Sequence, residues 1–374
     1  MYNTLSITDF GQGGYGISKL PNGKTALVLG SIPGETVCAQ IIEEKNTYAI
    51  CKTLDIISPS KDRIAPICRN YNKCGGCSLM HMTYSTQLKL KNELFVKNIY
   101  SISSNVDILP PIYSSDYNYR SRVRFNYLAK NKKIQLSFLE NKSSVLVPIN
   151  FCHICDFKLN DFIKSPPLLN PWELDKAQLA CISTDNEVLY EKNKIGYISI
   201  TTENMGSRKL YVSNQVFFQS NLLLLPKLVD FMGGFITGEK VLDLYSGVGT
   251  FSSFLEDKYS VTSVEINKLC LKLANMNLKK TEFITSSVEH LNPLNFKADT
   301  VIVDPPRTGL EKNVPGFISL LTPKTIIYVS CFMPTLMRDL NIFKSFGYLP
   351  KTAVMLDFYP QTPHLETLVL MSRI

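Results

Sequence analysis

Three cysteines lie within ten residues of one segment, "CRNYNKCGGC", at Cys68, Cys74 and Cys77. Thiolates at such spacings bind metals, and three are one short of the four ligands that a structural zinc site or an iron–sulfur cluster takes from its protein. The segment 150–155, "NFCHIC", offers cysteine and histidine side chains for the fourth position. The spacing accepts zinc and an iron–sulfur cluster equally well, so these residues predict a metal site without naming the metal.

A second segment, "VLDLYSGVGTFSSFLEDKYSVTSVEIN", predicts a cofactor site of the strand, glycine loop, helix and strand type. Glu265 ends the second strand-like run, 22 residues after Asp243. In a Rossmann-like half, glycines let the backbone approach the ligand, and an acid about 20 residues further on accepts hydrogen bonds from the ribose hydroxyls. The loop lacks the G-x-G-x-x-G dinucleotide pattern. An adenosine-type cofactor without a pyrophosphate, S-adenosylmethionine, therefore suits it better.

The surrounding pattern predicts three domains that position these residues. Residues 1–57 alternate turn signals with short β-rich runs, which is typical of a small antiparallel barrel. Residues 58–215 are predicted to be mostly β, with one basic amphipathic helix at about 83–102 and a hairpin closed by the "NKK" turn at 131–133. From 216 to 374, strands alternate with helices, which indicates a doubly wound α/β domain.

Composition limits the class of protein. The 374 residues are 45% hydrophobic and 19% charged, as in ordinary globular proteins, and the length favours two or three domains. The start lacks a secretory signal and no apolar run reaches about 18 residues, so we expect a cytoplasmic protein without a membrane span. Ten cysteines would suggest disulfides only in an oxidising compartment. The net charge of +8 permits a polyanionic partner but is weak support for one.

Several motifs in one order carry a resemblance to a known family. The C-terminal part contains "DLYSGVGTF", "SVEIN", "VDPPRTGL", "YVSC…TLMRDL" and "DFYPQTPHLETLVLM", and "FFQSN" precedes them. Together they resemble the RNA uracil-5-methyltransferase family. The cysteine segment with its following helix resembles that family's cluster motif, and residues 1–57 resemble its appended TRAM barrel, an OB-like domain. The resemblance thus implies a Rossmann-like methyltransferase domain behind a small β-barrel and a mostly β middle domain.

The resemblance also implies roles for individual residues. Cys331 takes the place of the family's nucleophile and Glu366 that of its base. Five positions match cofactor contacts, although the sequence around Ser287 is divergent: Gln219, Tyr245, Glu265, Ser287 and Asp304.

The chemistry of uracil explains why such residues are needed. Carbon 5 of uracil is too weak a nucleophile to attack a sulfonium methyl group. A thiolate that adds to carbon 6 turns the ring into an enolate whose carbon 5 can take the methyl, and a base then removes the proton from carbon 5 so that the thiolate is eliminated. A paired or stacked uracil must be flipped out to reach the pocket. Arg307 in "DPPR", where amine N-methyltransferases commonly carry an aromatic residue, argues against amine chemistry.

For the cysteine segment, the resemblance favours a 4Fe-4S cluster with Cys152 as the fourth ligand and Cys155 as the alternative. Because methyl transfer involves no redox step, we expect the cluster to stabilise the middle domain. It would also shape an RNA surface together with three alternating arginines, Arg120, Arg122 and Arg124. The alternative interpretation of these arginines is a solvated strand face.

The barrel and the cluster motif resemble the 23S rRNA branch of the family, and tRNA is the alternative substrate. We expect a monomer. One departure is notable: the family's S-C-N-P is "SCFMP" here, which leaves a catalytically silent RNA-binding or ribosome-assembly protein as a second class of function. Three aromatic residues could stack on bases, although such residues are more often core: Phe217, Phe218 and Tyr359.

Overall fold

The computed structural model describes residues 2–130, 133–167 and 178–373, with the side chains of 128–130 and 133 left out. The chain forms two compact units. The first consists of Met1–Phe95, Ser137–Ile149 and Tyr359–His364, and the second of Val96–Leu136, Asn150–Phe358 and Leu365–Ile374.

The helices are α1 (Tyr84–Ile102), α2 (Phe157–Lys164), α3 (Leu225–Gly233), α4 (Thr250–Leu255), α5 (Lys268–Asn277), α6 (Val314–Leu320) and α7 (Met333–Ser345). The strands up to residue 215 are β1 (Tyr2–Ser6), β2 (Asp9–Gly11), β3 (Tyr15–Lys19), β4 (Thr25–Leu29), β5 (Thr36–Glu44), β6 (Tyr48–Ser58), β7 (Asp107–Ile108), β8 (Arg122–Lys130), β9 (Lys133–Leu139), β10 (Leu146–Pro148), β11 (Gln178–Ser183), β12 (Val188–Leu189), β13 (Gly196–Thr201) and β14 (Ser207–Val212). The remaining strands are β15 (Lys240–Leu244), β16 (Ser260–Glu265), β17 (Glu282–Thr285), β18 (Thr300–Val303), β19 (Thr325–Ser330), β20 (Tyr348–Leu356) and β21 (Glu366–Arg373).

The first unit is built on a six-stranded sheet with the order β1-β5-β6-β4-β3-β2. Alternate residues of its strands form one apolar core, which includes Leu5, Val28, Val37 and Cys51. The sequence predicted antiparallel pairing throughout, but β4 and β6 are parallel. β6 pairs with β5 along one edge and with β4 along the other, and β5 lies between β4 and β6 in the chain, so these two strands are not joined by a hairpin turn. A closed TRAM-like barrel stays a prediction.

Helix α1 lies where the periodicity predicted a helix, and it buries Phe95, Ile99 and Ile102. Its expected basic outer face is only partly correct. Lys89 and Lys97 are exposed, but Lys91 is fully buried and its ammonium donates a hydrogen bond of 3.1 Å to the carbonyl of Tyr359. A lysine of an amphipathic helix can thus turn inward when a carbonyl is available to accept a hydrogen bond from its ammonium group.

The described chain between residues 105 and 215 is mostly β, as predicted. Strands β8, β11 and β12 are neighbours in one sheet, and β13 and β14 form a separate antiparallel hairpin. β8 and β9 are also neighbours, as the predicted hairpin requires. Residues 131 and 132 of its "NKK" turn lie outside the described residues.

The second unit contains an eight-stranded sheet with the order β17-β16-β15-β18-β19-β21-β20-β7. Strands β15 to β19 are parallel to one another, β21 is antiparallel to both β19 and β20, and β7 is parallel to β20. β18 is buried along its whole length, as expected for a parallel strand covered on both faces. The doubly wound α/β prediction is therefore confirmed. The strand order reverses between β15 and β18, which is where such sheets open a ligand crevice.

Within the described part of the chain, no helix is both long and apolar enough to span a membrane.

Candidate active site

Five predicted site residues lie at the carboxyl ends of five neighbouring parallel strands. Tyr245, Asp304 and Cys331 directly follow β15, β18 and β19, Glu265 is the last residue of β16, and Ser287 follows β17 by two positions. Because parallel strands share one carboxyl edge, the sheet gathers these side chains at the crevice beside the switch point.

Two backbone amides, one in the glycine loop and one at the start of α5, hold the carboxylate of Glu265. Gly247 N–H donates to Oε2 at 3.0 Å, and Asn267 N–H donates to Oε1 at 2.8 Å. Each carboxylate oxygen accepts more than one hydrogen bond, so Glu265 keeps capacity for the hydroxyls of a ribose. The predicted role of Glu265 therefore fits its geometry.

The loop itself has an unusual backbone. Tyr245 has a φ of 62°, a conformation that bulky residues rarely adopt, and its buried hydroxyl has no hydrogen-bond partner. Gly249 has a φ of 79° where α4 begins, and a Cβ there would lie 2.9 Å from Leu278. The glycine is thus required by both its φ and its close packing, whereas the tyrosine is held in an unfavourable conformation.

Asp243 is a site residue that the sequence analysis used only to count the distance to Glu265. It is fully buried, and its Oδ2 accepts a 2.6 Å hydrogen bond from the hydroxyl of Ser252, while Oδ1 has no partner. Burial, followed by the charge of Glu265, raises its pKa to about 7. The sequence signal that could have identified Asp243 is its place in the strand before the glycine loop.

Strand β21 brings the two predicted catalytic residues together. Ser330 in β19 pairs with Thr367 in β21, and the Thr367 hydroxyl donates to the carbonyl of Ser330 at 3.3 Å. Continued by one position, this antiparallel register sets Cys331 opposite Glu366. Because directly opposite residues of an antiparallel pair have Cβ atoms about 5 Å apart, the thiol and the carboxyl are neighbours.

The electrostatics of this corner are dominated by burial and by acidic groups. Burial, then the charges of Glu366 and Asp304, raise the pKa of Cys331 to about 12, while Arg307 acts in the opposite direction. Burial raises the pKa of Asp304 to about 7, with Asp243 adding to the shift. Glu366 is 2% exposed, and burial followed by Asp304 raises its pKa well above the usual range. Carboxyls with raised pKa values beside a cysteine are suited to proton transfer.

The segment "FFQSN" is fixed by hydrogen bonds at its last two residues. Ser121 N–H donates to the carbonyl of Ser220 at 2.8 Å, and the amide of Asn221 donates to the carbonyl of Phe358 at 3.2 Å. Gln219, which precedes them, is 6% exposed, and its Oε1 has no partner. The segment therefore presents a buried amide that still lacks a ligand.

The predicted stacking aromatics differ in their surroundings. Phe218 is 2% exposed and belongs to the core, so it is not available to a base, whereas Phe217 is 59% exposed. The guanidinium of Arg122 lies 5.8 Å from the Phe217 ring centroid. Arg124 is exposed on the same strand, β8. Tyr359 is half-buried in the first unit.

Buried polar atoms without a hydrogen-bond partner concentrate at this site. They include Gln219 Oε1, Asp243 Oδ1, the Tyr245 hydroxyl and Glu366 Oε2. Folded proteins rarely leave buried polar atoms unsatisfied, so a group of them on one crevice indicates a ligand that would supply the partners. An adenosine-type cofactor, whose hydroxyl, amino and carboxylate groups can pair with such atoms, fits this donor set.

Asp339 in α7 is a residue that the sequence analysis missed as a support of the site. Its Oδ2 accepts hydrogen bonds from Leu310 N–H at 2.9 Å and from the Tyr328 hydroxyl at 2.7 Å, and it is fully buried. It thus connects the loop after Asp304 to the strand before Cys331. The sequence analysis noted the motif "TLMRDL", but the sequence alone does not show which groups the carboxylate of Asp339 contacts.

In the first unit, the segment that carries the three clustered cysteines folds as a series of turns. Cys74 N–H donates to the carbonyl of Asn70 at 2.8 Å, and Gly76 N–H donates to Cys74 Sγ at 3.4 Å. Cys68, Cys74 and Cys77 are each half-buried. Across the described ranges, no three His, Cys, Asp or Glu side chains are grouped as metal ligands are.

In the second unit, Cys152 and Cys155 form a thiol pair. Cys152 Sγ accepts from the Cys155 thiol and from the backbone N–H groups of Cys155 and Ile154, and these bonds lower its pKa to about 6. Donating to Cys152 and burial raise the pKa of Cys155. Because metals bind thiolates, a pair in which one thiol is held ready to ionise is suited to supply a ligand.

Comparisons with known proteins agree with this geometry. A family model described as tRNA (Uracil-5-)-methyltransferase matches residues 285–374. An uncharacterised RNA methyltransferase of Clostridium acetobutylicum is 30% identical, over 99% of this chain and 96% of its own length. The 23S rRNA (uracil(1939)-C(5))-methyltransferase RlmD of Legionella pneumophila strain Corby is 29% identical, over 99% of this chain and 97% of its own.

A solved structure shares the fold. The crystal structure of Pyrococcus abyssi tRNA (uracil-54, C5)-methyltransferase in complex with S-adenosyl-L-homocysteine matches with a TM-score of 0.73 at 23% identity. The match covers 98% of this chain and 99% of that one. The matched part of the chain includes residues of both units.

Proposed function

Because the chain belongs to the RNA uracil-5-methyltransferase family, we propose that it transfers a methyl group from S-adenosylmethionine to carbon 5 of a uridine in RNA. The observation that carries the proposal is the pairing of Ser330 in β19 with Thr367 in β21, which brings the adjoining residues Cys331 and Glu366 to one corner of the crevice, where the charge of Glu366 acts on the thiol. A thiol with a buried carboxyl as its neighbour matches the nucleophile and the base of a covalent methylation.

The crevice residues account for cofactor binding. Bound S-adenosylmethionine would supply the electrophilic methyl group. Glu265 would accept hydrogen bonds from its ribose, since its carboxylate is already fixed by the loop amides. Gln219, Tyr245 and Asp304 would contact the rest of the cofactor, with buried polar atoms of Gln219 and Tyr245 ready to take partners.

The uracil chemistry is carried by two side chains of this chain. Cys331 first loses its proton to solvent, and the thiolate bonds to carbon 6 while the electrons of the carbon 5–carbon 6 double bond pass into the enolate. Carbon 5 would then bond to the methyl group while the bond from that group to the sulfonium sulfur breaks, so that S-adenosylhomocysteine is the leaving group. Glu366 removes the proton from carbon 5, and the electron pair of that bond re-forms the double bond and expels the thiolate. The raised pKa of Glu366 makes its ionised form a strong proton acceptor.

A covalent trap tests the proposal. In 5-fluorouridine RNA, carbon 5 carries a fluorine that no base can remove as a proton, so the adduct between Cys331 and carbon 6 persists after methyl transfer. We expect a protein–RNA band in denaturing electrophoresis that requires S-adenosylmethionine. A catalytically silent RNA-binding protein, the alternative suggested by "SCFMP", would bind this RNA without forming such a band.

The most suitable substrate is 23S rRNA, and tRNA is the second candidate. A full-length relative named for 23S rRNA supports the first at 29% identity. A family model and a fold neighbour named for tRNA support the second. Mapping 5-methyluridine in rRNA and tRNA from cells with and without the protein distinguishes them.

The accessory parts of the chain fit the same proposal. We propose that residues 1–57 form a TRAM-like barrel that contacts RNA, that 58–215 form the middle domain, and that 216–374 form the methyltransferase domain. We further propose that Cys68, Cys74, Cys77 and Cys152 hold a 4Fe-4S cluster with a structural role, zinc being the alternative. The sequence motif and the favoured ionisation of Cys152 support this assignment.

A further inference from the structure

An exposed arginine lies beside the nucleophile with its charge unpaired. The guanidinium of Arg307 is 5.0 Å from the centroid of Phe332, the residue that follows Cys331. Among the residues that the structure describes, the Arg307 guanidinium has no carboxylate or hydrogen-bond partner. A cation over an aromatic face is held in place while its N–H donors stay available.

Helix α7 fixes the backbone that carries this arginine. The hydroxyl of Thr335 donates to the carbonyl of Arg307 at 3.2 Å and to that of Phe332 at 3.0 Å. Arg338 donates to the carbonyl of Thr308 at 3.1 Å. The first turn of α7 therefore joins the loop after Asp304 to the residue after Cys331, and Arg307 occupies a defined place.

Gly309 shows how closely the loop and the helix pack. It has a φ of 74°, and a Cβ there would lie 2.6 Å from the guanidinium of Arg338 and 2.7 Å from the carboxylate of Asp339. A loop with such restricted geometry keeps its side chains in position without substrate, which lowers the entropy lost on binding.

The charged groups around Cys331 indicate a role for Arg307. Glu366 and Asp304 are acidic groups that act on the thiol, and Arg307 is the cation that acts on it within the described residues. RNA brings phosphates to this mouth, because a flipped uracil stays attached to the phosphates on both sides of its ribose. Glu366 must be ionised to act as the base, its negative charge repels phosphate, and a guanidinium at the rim offsets that repulsion.

We propose that Arg307, held on the ring of Phe332, binds a backbone phosphate next to the uridine under attack. The inference rests on the proposed function and deepens it, since it assigns a contact to the substrate. Guanidinium and phosphate form paired, charge-assisted hydrogen bonds, which a lysine cannot reproduce in the same geometry. The departure of this chain from S-C-N-P to "SCFMP" provides the ring that holds the arginine.

A chemical double-mutant cycle tests the contact. The probes are short single-stranded RNAs with one central 5-fluorouridine and an uncharged methylphosphonate at its 5′ or its 3′ side. Adduct formation is timed with S-adenosylmethionine at RNA concentrations below saturation. We expect one methylphosphonate to slow the native protein about tenfold. Arg307→Gln should be about tenfold slower on unmodified RNA and should lose nothing further with that methylphosphonate.

Controls separate the contact from general effects of charge and folding. Arg373→Gln removes an equally exposed arginine at the far end of β21, about 23 Å along the strand from Glu366, and should behave as the native protein. Phe332→Leu removes the aromatic face that holds Arg307 and should lower the rate. The unfolding midpoint and S-adenosylhomocysteine binding should be unchanged in Arg307→Gln.

Three results would overturn the inference. The first is an equal loss from both methylphosphonates in the native protein and in Arg307→Gln. The second is an unchanged rate of adduct formation by Arg307→Gln on unmodified RNA, which would mean that the guanidinium does not contact the substrate. The third is the absence of any adduct with the native protein, which would remove the proposed function itself, whereas the first two leave that function intact.

Discussion

Two thiols of the second unit, Cys331 and Cys152, are both half-buried, yet their pKa values are shifted in opposite directions from the ordinary value of cysteine. That of Cys331 is raised to about 12 and that of Cys152 is lowered to about 6. Cys331 faces two carboxyls, whereas Cys152 accepts hydrogen bonds from a thiol and two backbone amides. Burial disfavours the thiolate at both positions, so the neighbours decide the outcome.

The difference indicates two kinds of use. A thiolate stabilised by fixed donors is ready to bind a metal without further change. A thiol that burial and carboxyls keep protonated is protected until a substrate changes its surroundings, and its thiolate is then more nucleophilic because its pKa is high. Cys331 has the surroundings of a catalytic group, and Cys152 has those of a ligand.

The largest expected effect separates the two catalytic residues. Cys331→Ala cannot add to carbon 6, so it should bind RNA but form no adduct and no 5-methyluridine. Glu366→Gln keeps the thiolate and should add, transfer the methyl and stop before elimination, because the base is missing. Denaturing electrophoresis with a labelled methyl group should show label that moves with the protein band.

If the two residues only support the fold, both variants would instead be less stable and neither would trap RNA. Normal turnover by Glu366→Gln would remove it as the base.

The next effect concerns the thiol pair of the ligand region. Anaerobically purified protein should contain about four irons per chain. Cys152→Ser should lower the iron content because it removes a ligand, whereas Cys155→Ser, the matched control three residues away, should retain it. Iron and zinc are measured by elemental analysis. Stoichiometric zinc without iron would contradict the cluster assignment.

A smaller effect is expected from the side chain that shapes the Cys152 segment. Asn160 is 2% exposed, and its amide accepts from Cys152 N–H at 2.8 Å and donates to the carbonyls of Cys152 and Cys155 at 3.0 and 2.9 Å. Asn160→Ala should lower the free energy of unfolding by about 2–3 kcal/mol, since buried backbone groups lose their partners. Denaturant titration measures the loss.

The control for this prediction is Asp161→Ala, on the same helix but exposed. It should change the free energy of unfolding by less than about 0.5 kcal/mol. Equal stability of both variants would show that the segment does not depend on Asn160.

The smallest expected effect is a shift in pH dependence. Alkylation by iodoacetamide follows the thiolate fraction, so the rate at Cys331 rises with pH toward its raised pKa. Removing the negative charge of Glu366 favours the thiolate, and Glu366→Gln should therefore move the alkylation profile to lower pH by about one unit. Glu282→Gln, an exposed site on β17, should leave the profile unchanged. A shift to higher pH would show that Glu366 does not act on the thiol as a negative charge.

Much of the crevice could be predicted because its residues follow from local pattern. The strand, glycine loop, helix and strand pattern predicted the place of Glu265. The resemblance supplied Tyr245, Asp304 and Cys331, which follow strands on the same edge of the parallel sheet. Predicting such an edge requires only the order of strands and helices along the chain, and hydrophobic periodicity shows that order.

The remainder depends on contacts between distant segments. The position of Glu366 opposite Cys331 requires β21 to insert between β19 and β20, and no local pattern shows an insertion. The burial of Lys91 and the supporting role of Asp339 depend on acceptors and donors from other elements. The resemblance supplied the role of Glu366, but only the sheet register explains it.

Tyr245 shows how stability and activity can oppose each other at one position. Its φ of 62° costs on the order of 1–3 kcal/mol for a residue other than glycine. A glycine there would relieve that cost but would remove the hydroxyl from the crevice and loosen the turn between β15 and α4. Selection for thermal stability alone would therefore tend to replace this tyrosine, and selection for methyl transfer would retain it. Engineers who stabilise this protein should leave position 245 unchanged.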